Sequence, residues 1–305
     1  MKESLLALVV MGAFAGAASA QSSVTIYGRV DQGLGKAVNS ADKGVRDGGG
    51  SRLGFKGVED LGGGMSAVFG FEHRFSPDTG VANATFWNGY SWVGLKGAFG
   101  TATLGRHYTS AFLLIQNQID PFGGDTVAGL RELGIRPVGT TVRVADSIKW
   151  DYSASGFNVG VSVAEGIAGG KKPISVAANY SAGPLFVGAG YENPSPANDN
   201  LTTFGARYDL GVVNLSGGFS TGKNTSNQKV RAYLLGLTAP VGSGLVKAGW
   251  AHNKNSTTAV KNTKFGVGYQ HNLSKRTYIY ADVAHQSKGV ATEKTGYDLG
   301  IRHSF

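Results

Sequence analysis

The 305-residue chain has no cysteine, so no disulfide framework staples it, although a chain of this length can build a core without one. Beyond its first twenty residues it has no apolar run of about 20 residues, which excludes a membrane-spanning helix. H-E-x-x-H, Cys-based metal spacing and the G-x-S-x-G elbow are all absent. Gly33-Leu34-Gly35-Lys36 lacks the spacing and the following Ser or Thr of a phosphate loop. The histidines (His73, His107, His252, His271, His285 and His303) are scattered and read as wall or interface residues rather than ligands. The formal charge is +9, yet its Lys and Arg are dispersed through alternating segments instead of massed in a patch, which argues against nucleic acid. No cofactor and no metal is expected.

What the chain does have begins at its first residues. Lys2 precedes the apolar run Leu5–Met11, and small residues lead to Ala18-Ser19-Ala20. This is the layout of a secretory signal peptide cleaved after Ala20, and the run is too short to span about 30 Å of hydrocarbon. Residues 21–305 then form one domain, with no linker or composition break.

That domain alternates. At the far end, Tyr297, Leu299, Ile301, His303 and Phe305 fall on one face and Asp298, Gly300, Arg302 and Ser304 on the other. An edge strand this apolar would aggregate in water unless one face met lipid and the first strand closed against it. Period-two segments recur sixteen times from residue 23 to residue 305. Short connections such as Ser153–Gly156 and Pro240–Ser243 alternate with long polar ones such as Glu192–Asn200 and Asn253–Asn262. With 48 Gly, 15 Phe and 12 Tyr, the pattern predicts an all-β, sixteen-stranded antiparallel transmembrane β-barrel. Even strand parity puts both termini at the periplasmic side of a bacterial outer membrane. A soluble β-sandwich would alternate too, but needs no two classes of connection.

One connection breaks the rule. Tyr108–Thr141 is far longer than an ordinary loop and rich in Leu, Ile and Phe. In a barrel its place is inside the lumen, with Leu113, Leu114 and Ile115 as a short helix on the inner wall.

Ser23–Arg29, Ser51–Gly62 and Trp92–Gly97 through Gly100–Arg106 resemble the general diffusion porins of Gram-negative bacteria, and look closest to the anion-preferring porins of β-proteobacteria. The resemblance implies a homotrimer with the third outer loop folded inward as an eyelet. Phe71, Phe75, Phe86 and Trp87 would be contact residues, in outer-membrane lipid and lipopolysaccharide. It also implies that the outer-membrane insertion machinery reads the terminal Phe305. The enteric eyelet motif Pro-Glu-Phe-Gly-Gly appears as Pro121-Phe122-Gly123-Gly124-Asp125, preceded by Asp120; its Glu is missing, leaving Asp120 and Asp125 to supply the acidic side. Arg29, Arg52 and Arg106 stand where the family places its lumen-wall cations, with Arg143 and Lys149 as further candidates.

Periodicity adds that Arg29 alternates with Ile26, Gly28 and Val30, and Arg52 with Leu53 and Phe55. Arg at the midplane of a barrel's lipid face costs about 2–4 kcal/mol, so these cations should face water. The expected function is a non-enzymatic, water-filled channel for passive diffusion of small hydrophilic solutes, with anion preference and with Lys171 and Lys172 drawing anions to the mouth. Two other readings stand beside it: a channel with a dedicated phosphate or small-carboxylate site, and a barrel enzyme with an Asp/His/Ser arrangement at its rim.

Overall fold

A computed structural model describes residues 22–137, 142–166, 170–193, 195, 199–287 and 292–305. The leader and its Ala20 boundary, and the end of the long connection at Thr141, lie outside the described residues.

Among the described residues, eighteen strands form one antiparallel sheet. They are β1 (Ser23–Lys36), β2 (Lys43–Asp47), β3 (Arg52–Gly62), β4 (Met65–Ser76), β5 (Val81–Ala82), β6 (Tyr90–Gly97), β7 (Gly100–Tyr108), β8 (Arg143–Ala154) and β9 (Phe157–Ala164). The second half adds β10 (Ile174–Ala182), β11 (Leu185–Asn193), β12 (Asn200–Asp209), β13 (Asn214–Lys223), β14 (Lys229–Val241), β15 (Gly244–Asn255), β16 (Lys261–Asn272), β17 (Thr277–Gln286) and β18 (Thr295–Ser304). β2 and β5 are short ribbons within long connections; the other sixteen build the wall. Sequence alternation missed both ribbons because five and two residues carry too little period-two signal.

The sheet closes on itself through β1, which pairs with β3 on one side and β18 on the other. Closure satisfies every edge, as hydrocarbon demands. The final residue takes part: Gly28 and Phe305 exchange backbone hydrogen bonds of 3.0 and 3.1 Å. The Phe305 ring occupies the space beside Gly28 that a Cβ would fill.

The strands mostly send apolar side chains outward and small or polar ones inward, with Phe186 on β11 and Leu234 on β14 as inward exceptions that pack on the segment after β7. On β17, Ile279 and Val283 are 44% and 51% exposed on the outer face, while Tyr280, Asp282 and Ala284 between and beside them are buried inside.

Candidate functional site: the arginine cluster and the segment facing it

The connection after β7 lies against the inner face of half the wall. A π-helical turn, Phe112–Gln116, runs into Asn117–Ile119, and a second helical turn covers Arg131–Gly134. Ile115, Ile119, Leu130 and Ile135 are fully buried against this wall. The close approach is built by glycines on β11 to β16. A Cβ on Gly188 would stand 2.3 Å from Ile115 Cδ1, and one on Gly205 would stand 2.5 Å from Ile119 Cδ1. Gly218, Gly236, Gly249 and Gly266 continue the stripe under Ile135, Pro121, Leu130 and Ala128.

The segment is held in shape by Asp120. Its Oδ1 accepts the Phe122 N–H at 2.9 Å, and its Oδ2 accepts those of Leu130 and Arg131 at 2.5 and 2.6 Å. Asp120 therefore turns its carboxyl group into the loop backbone rather than towards the basic wall. Asp125 alone of the pair faces the cations. Its carboxylate meets Arg131 at 3.0 Å, Arg29 at 3.2 Å and Arg52 at 3.9 Å. Burial opposes ionisation there, but Arg131, Arg29 and Arg52 outweigh it and hold the carboxyl below its ordinary value.

Across from the segment, register stacks like charges. Arg29 on β1 lies opposite Arg52 on β3, and Arg52 lies opposite Arg74 on β4. Directly opposed side chains of one charge destabilise a sheet, so acceptors must hold them. Glu72, buried on β4, accepts Arg74 Nε at 2.8 Å and stands 3.9 Å from Arg52. The Gly50 carbonyl accepts from Arg29, Arg52 and Arg74 at 3.3, 3.1 and 3.2 Å. Arg29 also donates to the Gly49 carbonyl. Gly50 has φ +73°, so the turn that aims this carbonyl at three guanidiniums suits glycine. Arg143 joins from β8: its Nη2 and that of Arg74 both donate to the Tyr108 hydroxyl at 2.7 Å. Lys149 pairs with Asp151 at 2.5 Å on the same inner face.

Arg106 does not join them. It shares the outward parity of Leu104, pairs opposite Ser91, and its Nε donates to the Asn88 carbonyl at 3.2 Å. A bulge at Gly105 to His107 shifts register beyond it, and His107, not Arg106, lies on the cavity wall. Arg74 takes the place expected of Arg106. The signal for it was present, since Arg74 and Glu72 alternate with Phe71, His73 and Phe75. Lys171 and Lys172 are exposed in the connection between β9 and β10.

Between wall and segment lies a cavity of about 700 Å³. Seven cations surround it or its rim (Arg29, Arg52, Arg74, Arg131, Arg136, Arg143 and Lys149), against four carboxylates, Glu72, Asp125, Glu132 and Asp151, an excess of three positive charges.

Comparison with known proteins places this architecture. The family model for Gram-negative porins matches residues 7–289, and the chain belongs to that family. Outer membrane porin protein 32 of Delftia acidovorans is 34% identical over the whole of both chains. A Bordetella pertussis outer membrane porin protein is 28% identical, again over both whole chains. The anion-selective porin from Comamonas acidovorans superposes with a TM-score of 0.79 at 29% identity, covering 93% of this chain and all of that one. OmpT of Vibrio cholerae shares the fold at a TM-score of 0.76 and 14% identity. The protein is thus an outer-membrane porin, a closed sixteen-stranded antiparallel barrel and a channel rather than an enzyme.

Proposed function

We propose that this porin passes small hydrophilic solutes by diffusion and prefers anions, with the constriction formed between residues 108–137 and Arg29, Arg52, Arg74 and Arg143. The excess of seven cations over four carboxylates around one cavity carries the reading. Fixed charge at a narrow, partly desolvated ring acts on ions far more strongly than surface charge, which salt screens within about 10 Å at 0.1 M. The Comamonas relative described as anion-selective supports the same sign. A homotrimer follows from the family, and the outward cluster of Phe71, His73, Phe86 and Trp87 suits its contact: Phe71 and Phe86 stand 5.3 and 4.9 Å from the Trp87 ring, and Phe86 is 60% exposed. Export of residues 21–305 with cleavage after Ala20, and reading of Phe305 by the insertion machinery, complete the proposal.

The test is the zero-current potential of the purified oligomer across a planar bilayer in a KCl gradient. A potential of the sign set by chloride supports the reading, and one set by potassium refutes it. A chloride conductance that saturates with concentration would instead favour a dedicated anion site.

A further inference from the structure

The cavity has a second kind of lining that charge does not explain. Tyr90 and Trp92 on β6 are half-buried inward residues whose rings lie 5.9 Å apart at an interplanar angle of 28°. They lie over Gly70 of the neighbouring strand, where a Cβ would stand 2.8 Å from either ring. Tyr27 lies likewise over Gly54, and its hydroxyl meets that of Tyr90. Tyr108, 6.4 Å from Tyr90, carries the row on to Phe112 of the inward segment, stacked on it at 5.1 Å and 12°. Glycines on the inner face thus make room for a continuous band of rings. The band runs along the guanidiniums: Arg143 lies over Tyr108 at 4.5 Å, and Arg131 over Phe112 at 5.0 Å.

A chloride ion gains nothing from a band of aromatic faces, and bulk water would favour polar side chains in its place. It suits a solute with a flat π-surface and an anionic head. The guanidinium fork matches a carboxylate's two oxygens, and rings take a planar partner in offset or edge-to-face geometry. We propose that this cavity is a selectivity station for aromatic carboxylates, which seat the carboxylate on the Arg52, Arg74 and Arg143 heads and the ring against Tyr90 and Trp92. The inference rests on the anion-preferring reading of the same site and adds the substrate class.

The experiment compares benzoate with cyclohexanecarboxylate as blockers of single-channel chloride current through the native oligomer. Both carry one carboxylate on a six-membered ring, and only benzoate is flat and aromatic. Benzoate should block at about three- to tenfold lower concentration, the factor expected of a favourable ring–ring contact. Trp92→Leu together with Tyr90→Leu should bring the two acids to the same blocking concentration. Trp92→Phe should retain the preference, which separates loss of the ring from a damaged wall. Equal block of the native channel by both acids, or stronger block by cyclohexanecarboxylate, overturns the proposal while leaving anion preference intact. A native channel that neither acid blocks and whose zero-current potential follows potassium overturns both readings.

Discussion

Asp120→Ala is the sharpest probe of how the inward segment is held. Asp120 is buried, and its carboxylate serves three backbone N–H groups between residues 122 and 131. Truncation leaves all three donors without an acceptor. At about 1–3 kcal/mol for each buried group left unsatisfied, the loss is about 3–9 kcal/mol. Asp120→Asn keeps one accepting oxygen and orphans at least one donor, for about 1–3 kcal/mol. The barrel wall does not depend on these bonds, so the cost falls on the docking of the segment. Amide hydrogen exchange at Phe122, Leu130 and Arg131 should accelerate by orders of magnitude in the Ala variant and by one or two in the Asn variant. Open-channel current noise should rise in the same order, while heat-modifiability stays native. Native protection and quiet current in Asp120→Ala would refute the assignment of Asp120 as the staple of the loop.

Deleting Phe305 removes both the hydrogen bonds to Gly28 and the ring that fills the space beside it, so the folded fraction in the membrane should fall and periplasmic aggregate should appear; unchanged yield by fractionation would contradict this. Gly205→Val puts a branched side chain where Ile119 lies, at an overpacking cost of about 1–3 kcal/mol, and should push the segment towards the pore axis. Single-channel conductance should drop without a change in the sign of selectivity. Asp125→Asn should raise anion preference by removing the carboxylate that meets Arg29, Arg52 and Arg131. Because the native Asp125 value is depressed, its ion pairs are fully present above the ordinary carboxylate value of 3.8 and are lost as pH falls through the lower folded value. Acidification of the native channel from pH 6 to pH 4.5 should therefore leave the Asp125 contribution in place, with its loss confined to more acid solution and missing from the variant.

Period-two alternation made the wall legible, because outward side chains must meet lipid and inward ones water at every second residue. The break at Tyr108–Thr141 was legible for the same reason: its Leu, Ile and Phe fit neither a strand nor a solvated loop. Charge placement within the site was less so. Arg106 shares parity with Leu104, but the register shift between Gly105 and His107 breaks strict counting here: Tyr108, of the same parity, lines the cavity, while Arg106 bonds the Asn88 carbonyl outside that lining. Arg74 obeys the same counting from Phe71 and Phe75 and was overlooked beside His73. The roles of Asp120 and Asp125 depend on which way a loop carboxylate turns, and no local pattern encodes that. The Gly48–Gly50 turn, whose carbonyls gather Arg29, Arg52 and Arg74, is likewise a tertiary fact: it exists only because β2 and β3 part and the turn between them leans towards the wall arginines.

The most direct test of the central claim is the zero-current potential of a variant with Arg29, Arg52 and Arg74 all replaced by Gln, set beside Arg106→Gln. These three side chains are three of the seven cations set against four carboxylates, so removing them cancels the positive excess. The triple variant, still a folded barrel by heat-modifiability, should lose its chloride-determined potential and move to zero or towards potassium. Arg106→Gln should keep the native value, because that side chain is outside the cavity lining and bonds the Asn88 carbonyl. A triple variant with the native potential, or an Arg106 variant that loses it, would contradict the account.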